Sequence, residues 1–509
     1  MPVVLSETIS PEEQRFDRIR RTVSLFLGPL LFIVLLFIPM PSLTTQAHHL
    51  AAVVGLVLVY WIGEAIPIPV TSLLGPVMCI VLGVAAPAVV FAPFANPIIF
   101  LFLGSFLLAQ GMIEQGLDRR IALAILSLRW VGNSPYRLFV AIAIIPVLIS
   151  MWISDSAATA MIYPILIGII SAFSSLAKEA GKKFTSADFN TGLLLTISYA
   201  ALIGGIGTPV GTPPNLIGIG MIEKMLHVKI NFFQWMMLAI PIMLAMWLIM
   251  LLFMLKTYPP VAKKFPGLVE FLSSRRAEQG PWTRGQKNAL TAFLVAVVLW
   301  IFPGVIASVG GTENPMFEFC ESHLPEGVAS LVAAVLLFIL PVNWRERRFT
   351  LNWSQALKID WGTILLFGGG LSLGSLMFST GLADVLGKQL IAFSGGDPSV
   401  WTITAVAIFL AIIVTEMTSN TASTTMLVPI MIAVAQGAGV SGIPPAIGVC
   451  LGSSMAFMMP VSTPSNAIVY GSGLVPIIAM IRAGVVLDAL SFFVIFLGLY
   501  ILCPLLGLI

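Results

Sequence analysis

Charge is scarce in this sequence. Asp, Glu, Lys and Arg make up 10% of its residues against 58% hydrophobic ones. That excludes a water-soluble globular protein, which needs a polar surface. Cysteine is scarce too: Cys79, Cys320, Cys450 and Cys503 are far apart with no CxxC pair, so neither a disulfide framework nor a zinc site is indicated and all four read as packing residues. Histidine is limited to His48, His49, His227 and His323, all in expected loops. With no imidazole beside Ser154 and Asp155, and no GxSxG or HExxH motif, an intramembrane hydrolase is disfavoured. The formal charge of +3 is too small to suggest a nucleic-acid partner.

Long hydrophobic runs are what the chain has instead. Each is about the 20 residues that a ~30 Å hydrocarbon core asks of a helix. They fall near 23–41, 50–64, 70–90, 97–124, 189–226, 233–256, 286–305, 326–342, 358–390, 443–479 and 482–508. The expected fold class is an all-α polytopic membrane protein with about 11 transmembrane helices. Two further stretches, 136–176 and 399–436, are too long for one helix and are divided by polar clusters. Halves of about 15 residues, roughly 22 Å, are shorter than the hydrocarbon core, which suggests two re-entrant helical hairpins. The first run follows Arg15, Arg18, Arg20 and Arg21 and shows no small-residue cleavage site, so it reads as a span rather than a signal peptide. Basic residues in the N-terminal segment, 119–137, 178–183 (Lys178, Lys182, Lys183), 256–287 and 345–348 place these in the cytoplasm. The acidic 306–325 loop and the small, Gly-rich 391–400 (with Asp397) and 436–442 belong outside.

The polar clusters repeat one another. SDSAATAMIYPI (154–165) and SNTASTTMLVPI (419–430) agree at six of twelve positions. Gly-Leu precedes both at the same separation (116–117 and 381–382), and Thr-Pro-x-Asn follows both, as GTPPN (211–215) and STPSN (462–466). Because the flanking loops lie on opposite sides, the repeat is inverted, a signature of secondary transporters. The expected organisation is a cytoplasmic segment (1–22), scaffold helices (23–93), and a first transport region (94–226) with an inner hairpin (136–176). Scaffold helices with a cytoplasmic loop (227–342), a second transport region (343–480) with an outer hairpin (399–436), and a last helix (481–509) follow.

Each half interrupts helix twice, at the hairpin tip and at a Gly/Pro break, IGGIGTPVGTPPN (203–215) or MMPVSTPSN (458–466). Proline removes a donor and clashes with the preceding turn, and unpaired backbone at membrane depth is tolerated only where protein or a polar cavity satisfies it. A half-helix beginning at a Ser or Asn cap aims its N–H groups and positive dipole end into the cavity, which attracts anions. Two opposed tips could each take one carboxylate of a small dicarboxylate. Freed carbonyls and hydroxyls are hard ligands for Na⁺, with Ser150, Ser154 and Gly211 in one half and Thr415, Ser419, Asn420 and Ser462 in the other. Every Lys or Arg near a span, including Lys224, Lys358, Lys388 and Arg482, lies close to its end, so co-bound cations would balance a dianion. A lone Ser/Thr cluster is ordinarily helix-to-helix glue; the matched copy favours a site. Glu416 and Asp488 are intramembrane carboxylates, either functional or paired with polar neighbours, while Glu114 and Asp118 are expected to be solvated.

These paired motifs, with WIGEAIPIPVTSLLG, FANPIIFLFLGSFLLAQGMIEQGLDRRIAL, EMTSNTA and MPVSTPSNAI, resemble the divalent-anion/sodium symporter (DASS) family over nearly the whole chain. That family comprises dicarboxylate, citrate and sulfate carriers. The resemblance implies an elevator-type transporter, a homodimer whose protomers each hold a fixed scaffold and a mobile transport domain, with sodium as the coupled ion and no organic cofactor. It implies substrate contacts at Ser154, Asp155, Ser156, Ser419, Asn420, Thr421, Thr463 and Pro464. Sodium contacts are implied at Ser150, Ser154, Asp155, Gly211, Thr415, Ser419, Asn420 and Ser462. The expected location is a plasma membrane, the inner membrane of a bacterium, with a cytoplasmic N-terminus.

The family's Ser-Asn-Thr is kept at 419–421, but Asp155 and Ser156 stand in the first copy. Ser156 keeps a hydroxyl. An ionised Asp155 only accepts, and it repels a dianion. Either a cation sits against it, which keeps sodium coupling, or the carboxyl carries a proton and donates, which brings in protons or obligate exchange. The leading expectation is sodium-coupled transport of C4 dicarboxylates such as succinate, malate and fumarate. The alternatives are a proton-coupled or exchange carrier of dicarboxylate, citrate or sulfate, and a passive anion channel.

Overall fold

The computed structural model describes residues 11–180, 185–311, 313–394 and 398–509, so Lys182, Lys183, Asp397 and the first ten residues lie outside the described residues. The main helices are α1 (Pro11–Phe37), α2 (Thr45–Gly63), α3 (Ile68–Val81), α4 (Pro97–Glu114), α5 (Leu117–Leu126), α6 (Pro135–Ser150), α7 (Asp155–Ala180), α8 (Ala187–Gly205), α9 (Pro213–Leu226) and α10 (Phe232–Thr257). They continue as α11 (Arg284–Gly310), α12 (Glu326–Ile339), α13 (Trp361–Ser379), α14 (Leu382–Ser394), α15 (Val400–Met417), α16 (Asn420–Gly437), α17 (Ile443–Ser453), α18 (Pro464–Tyr470) and α19 (Ile477–Leu505). Among the described residues nine helices are long and apolar enough to cross a membrane, or ten if a pair bent by 66° before α12 is one span. The fold is all-helical and polytopic, as expected, apart from a ribbon pairing Pro341–Asn343 with Arg348–Phe349.

The helices α4 to α10 answer in order to α13 to α19. Local chemistry explains the match. Gly116 and Gly381, at φ 63° and 78°, end α4 and α13 in the left-handed region that glycine adopts without steric cost. Ser134 and Ser399 cap α6 and α15 by accepting the amides of Arg137 and Thr402. Four runs expected as single spans, 97–124, 189–226, 358–390 and 443–479, are each two helices, parted at those glycines or at the Gly/Pro breaks. The hairpin arms also exceed the expected 15 residues: α6 has 16, α7 has 26, and α15 and α16 have 18 each. In α7 the helix runs past the apolar stretch into polar sequence, because backbone hydrogen bonding continues until a breaker intervenes. Likewise α1 begins at Pro11, inside the polar segment.

The two halves interlock at their most buried parts. Helix α9 packs on α16 and α17, and α18 packs on α7 and α8. Thr191 Oγ1 donates to the Leu474 carbonyl at 2.8 Å, and Ser198 Oγ donates to Asn466 Oδ1 at 2.6 Å. Glu114, expected to be solvated, pairs with Lys358 at 2.6 Å and accepts from Gln355 at 2.8 Å. Asp118 is buried and accepts the Arg119 amide at 2.7 Å. Both acids sit where α4 turns into α5, a turn folded against the following half rather than open to water. The four cysteines are free and buried.

Candidate functional site

In the first half, Ser154 caps α7, its Oγ accepting the Ala157 amide at 3.3 Å. Asp155 occupies the first helical turn and turns back on it, Oδ1 accepting the Ser156 amide at 2.7 Å. One of the tip's orphan N–H groups is therefore already held by a carboxylate of the same helix. Ser156 Oγ lies 3.5 Å from Ser154 Oγ. Behind the tip, the 206–212 break folds over the end of α6. Asn215 Nδ2 donates to the carbonyls of Gly205 (3.0 Å), Ile206 (3.4 Å) and Thr208 (2.7 Å), and Thr208 Oγ1 donates to the Met151 carbonyl. Those bonds draw carbonyls together around Gly211: a methyl group there would lie 2.5 Å from Gly205 O, 2.7 Å from Ser150 O and 3.0 Å from Met151 O. Ser150 Oγ and Asn215 Oδ1 are buried with no hydrogen-bond partner among the described residues. Buried polar atoms are normally satisfied; oxygens left over beside converging carbonyls are the donor set that a hard cation takes. Ser154 and Gly211 also line a small crevice with Ser105, Trp152, Val210 and Pro213.

The second half repeats this construction with different bonds. Ser419 caps α16, accepting the Ala422 amide at 3.5 Å. Thr415 Oγ1 lies 2.7 Å from both Asn420 Oδ1 and the Ser453 carbonyl. Asn420 therefore turns toward Thr415 rather than onto its own helix, and the first-turn amides of Asn420 and Thr421 stay open to a ligand. Asn466 Nδ2 donates to the carbonyls of Ala456 (2.9 Å) and Met459 (3.0 Å), residues at the same chain separations as Gly205 and Thr208 are from Asn215. Ser462 Oγ donates to Met459 O at 2.7 Å. Thr463 caps α18 through the Asn466 amide at 3.2 Å, with Pro464 exposed at the helix start.

The structure thus joins Ser150, Gly211 and Met151 in one cluster, and Thr415, Asn420 and Ser453 in another. No hydrogen bond among the described residues links the Ser154–Ser156 tip to the Ser419–Thr421 tip. Two residues emerge that the sequence reading quoted in a motif without assigning them to the site, Asn215 and Asn466; the signal was the equal spacing of Thr-Pro-x-Asn in both halves. Glu416 is a strut: its carboxylate oxygens accept the amides of Met458 (2.8 Å) and Met459 (3.0 Å), while buried Asp488 faces it from α19. A basic side chain does reach the second tip: Arg20 Nη1 donates to the Met417 carbonyl at 3.1 Å, two residues before Ser419. His48 and His49 bond the carbonyls of Leu35 and Leu82, and His323 stacks on Phe319.

A family model described as the sodium:sulfate symporter transmembrane region matches residues 20–509. The chain is 33% identical over 498 residues to a protein of Staphylococcus saprophyticus named sodium-dependent dicarboxylate transporter SdcS, covering 97% of this chain and 93% of the relative. The protein of the same name from Staphylococcus aureus strain USA300 is 33% identical over 488 residues, covering 95% and 91%. Among solved structures, the YdaH transporter of Alcanivorax borkumensis matches with a TM-score of 0.52 over 97% of both chains at 14% identity, a likeness of fold.

Proposed function

From the premise that the chain belongs to the sodium:sulfate symporter family, we propose that it is a sodium-coupled carrier of C4 dicarboxylates such as succinate, malate and fumarate. The observation that carries this is the pair of matched tips and breaks, one of which gathers unsatisfied oxygens around Gly211 while the other leaves helix N–H groups open. The first cluster would hold Na⁺ through Ser150, the carbonyls around Gly211 and the oxygen of Asn215. The second tip, Ser419, Asn420 and Thr421, would take a substrate carboxylate on its first-turn amides, with Thr463 and Pro464 beside it. The family further supports a homodimer with a scaffold and a moving transport domain in a bacterial inner membrane, the N-terminus in the cytoplasm. Vesicles containing the protein are expected to accumulate labelled succinate under an inward Na⁺ gradient and to show counterflow. Uptake indifferent to Na⁺ but driven by a pH gradient or by internal succinate would sink the coupling, and absence of counterflow would favour a channel.

Asp155 supports a second reading, proton coupling or exchange, because its place corresponds to Asn420. The two readings separate on Asp155→Asn. If Asp155 favours a nearby cation, the change replaces a charged acceptor of the Ser156 amide with a neutral one and removes a negative charge from the tip. A charged hydrogen bond is worth about 1.5–3 kcal/mol, or roughly tenfold and more. We expect the succinate KM to fall and the half-saturating Na⁺ concentration to rise, each about three- to tenfold, in initial-rate uptake. A shifted pH profile with unchanged Na⁺ dependence would instead favour the proton reading.

A further inference from the structure

The bond from Arg20 to Met417 joins positions 397 residues apart and is the point where α1 touches the second tip. Helix α15 ends at Met417, and its last carbonyls form the negative end of the helix dipole. A guanidinium there is favourable, and this one is held in place from behind. Its Nη2 lies 3.4 Å from Glu64 Oε2, which also pairs with Arg21 at 3.3 Å. Glu64 ends α2 with φ 48°, a conformation that is uncommon for residues other than glycine. Arg20 is 18% exposed and Glu64 27%, whereas the Met417 side chain is 62% exposed. The tip is therefore tied to α1 and α2 here by its backbone and not by packing of Met417.

We propose that Arg20 is a positioning residue of the transport cycle: it pins the second tip, through the Met417 carbonyl, to the α1–α2 pair, and the tip moves only when that bond is exchanged. The inference rests on the carrier reading above. Because Arg20 lies in the basic turn of α1, assigned to the cytoplasm by its charge, the pinned state is the one with the tip toward that side. External substrate sees only the unpinned fraction of carriers, and an apparent dissociation constant scales inversely with that fraction. Removing the pin should tighten external binding although no substrate contact has been added.

The test compares Arg20→Met, Arg20→Lys and Glu64→Gln in vesicles of known orientation, with labelled succinate outside. Arg20→Met keeps the apolar stem and loses every donor; its external KM is expected to fall about three-fold or more. Glu64→Gln should move KM the same way by less, and Arg20→Lys should stay near the native value. An unchanged or raised KM with a lower maximal rate in both Arg20 variants, the pattern of a merely structural role, would overturn the proposal. A readout independent of transport is labelling of Met417→Cys by a membrane-impermeant maleimide, since all four native cysteines are buried. Arg20→Met should increase labelling from the external side, and equal labelling with and without the Arg20 change would also overturn the proposal. Absence of counterflow by the native protein would sink the carrier reading alone and leave the labelling result to decide on the pin.

Discussion

Gly211→Ala is expected to lower sodium-driven uptake about a hundredfold while the protein still folds. The added methyl would lie 2.5 Å from Gly205 O and 2.7 Å from Ser150 O. Both are backbone atoms, which cannot swing away as a flexible side chain would. Forcing one methylene into a packed interior costs about 1–3 kcal/mol, and each 1.4 kcal/mol is about tenfold in an equilibrium. The same methyl would stand among the carbonyls that would face the cation, so most of the cost falls on the cation-bound state. Against a typical stability of about 5–15 kcal/mol the fold can absorb it. Sodium should raise the thermal midpoint of the native protein, since a ligand that binds only the folded state stabilises it, and should not raise that of Gly211→Ala. Gly168→Ala is the control, because a methyl there meets only Phe271 at 3.6 Å. A Gly211→Ala protein with native sodium-stimulated uptake would show that the carbonyl cluster does not bind the ion.

The same cluster shows what was legible in the sequence. Element positions were legible because apolar runs and their punctuation are local: Gly116 and Gly381 end helices where the repeated Gly-Leu stood, and Ser154 and Ser419 begin them. The lengths of the hairpin arms were not, because hydropathy marks where a helix is apolar and not where its backbone bonding stops. The cation-facing oxygens were half legible. Gly211 and Ser150 stood out by matching Ser462 and Thr415, yet nothing local says that three carbonyls converge on one glycine, since that depends on the break folding back over α6. Arg20 was illegible for the same reason. A basic residue in an N-terminal turn reads as a cytoplasmic charge, and its approach to Met417 exists only in three dimensions. The difference between Asp155 and Asn420 was visible, but its direction was not. Asp155 binds its own helix and Asn420 binds Thr415, so the two tips are specialised in their hydrogen bonding.

That specialisation extends to the two asparagines, which should fail for different reasons. Asn215→Leu and Asn466→Leu are each expected to lower succinate uptake more than tenfold. Each amide group satisfies carbonyls of its break, and a buried acceptor left unpaired costs about 1–3 kcal/mol. Asn466 also accepts Ser198 Oγ at 2.6 Å from the other half, so its loss cuts a bond between the halves as well. Asn215 Oδ1 has no such partner among the described residues and lies beside the Gly211 cluster. Asn466→Leu should therefore show the larger fall in thermal midpoint, with the half-saturating Na⁺ concentration of its residual uptake nearly native. Asn215→Leu should show the smaller fall and a clearly raised Na⁺ requirement. Uptake measured against Na⁺ concentration, together with thermal unfolding of the purified variants, separates the two. If both asparagine variants shift the Na⁺ requirement equally, the two breaks are functionally alike and the cation is not confined to the first cluster. If neither shifts it, Asn215 is a strut like Glu416, and the cation set reduces to Ser150 and the carbonyls around Gly211.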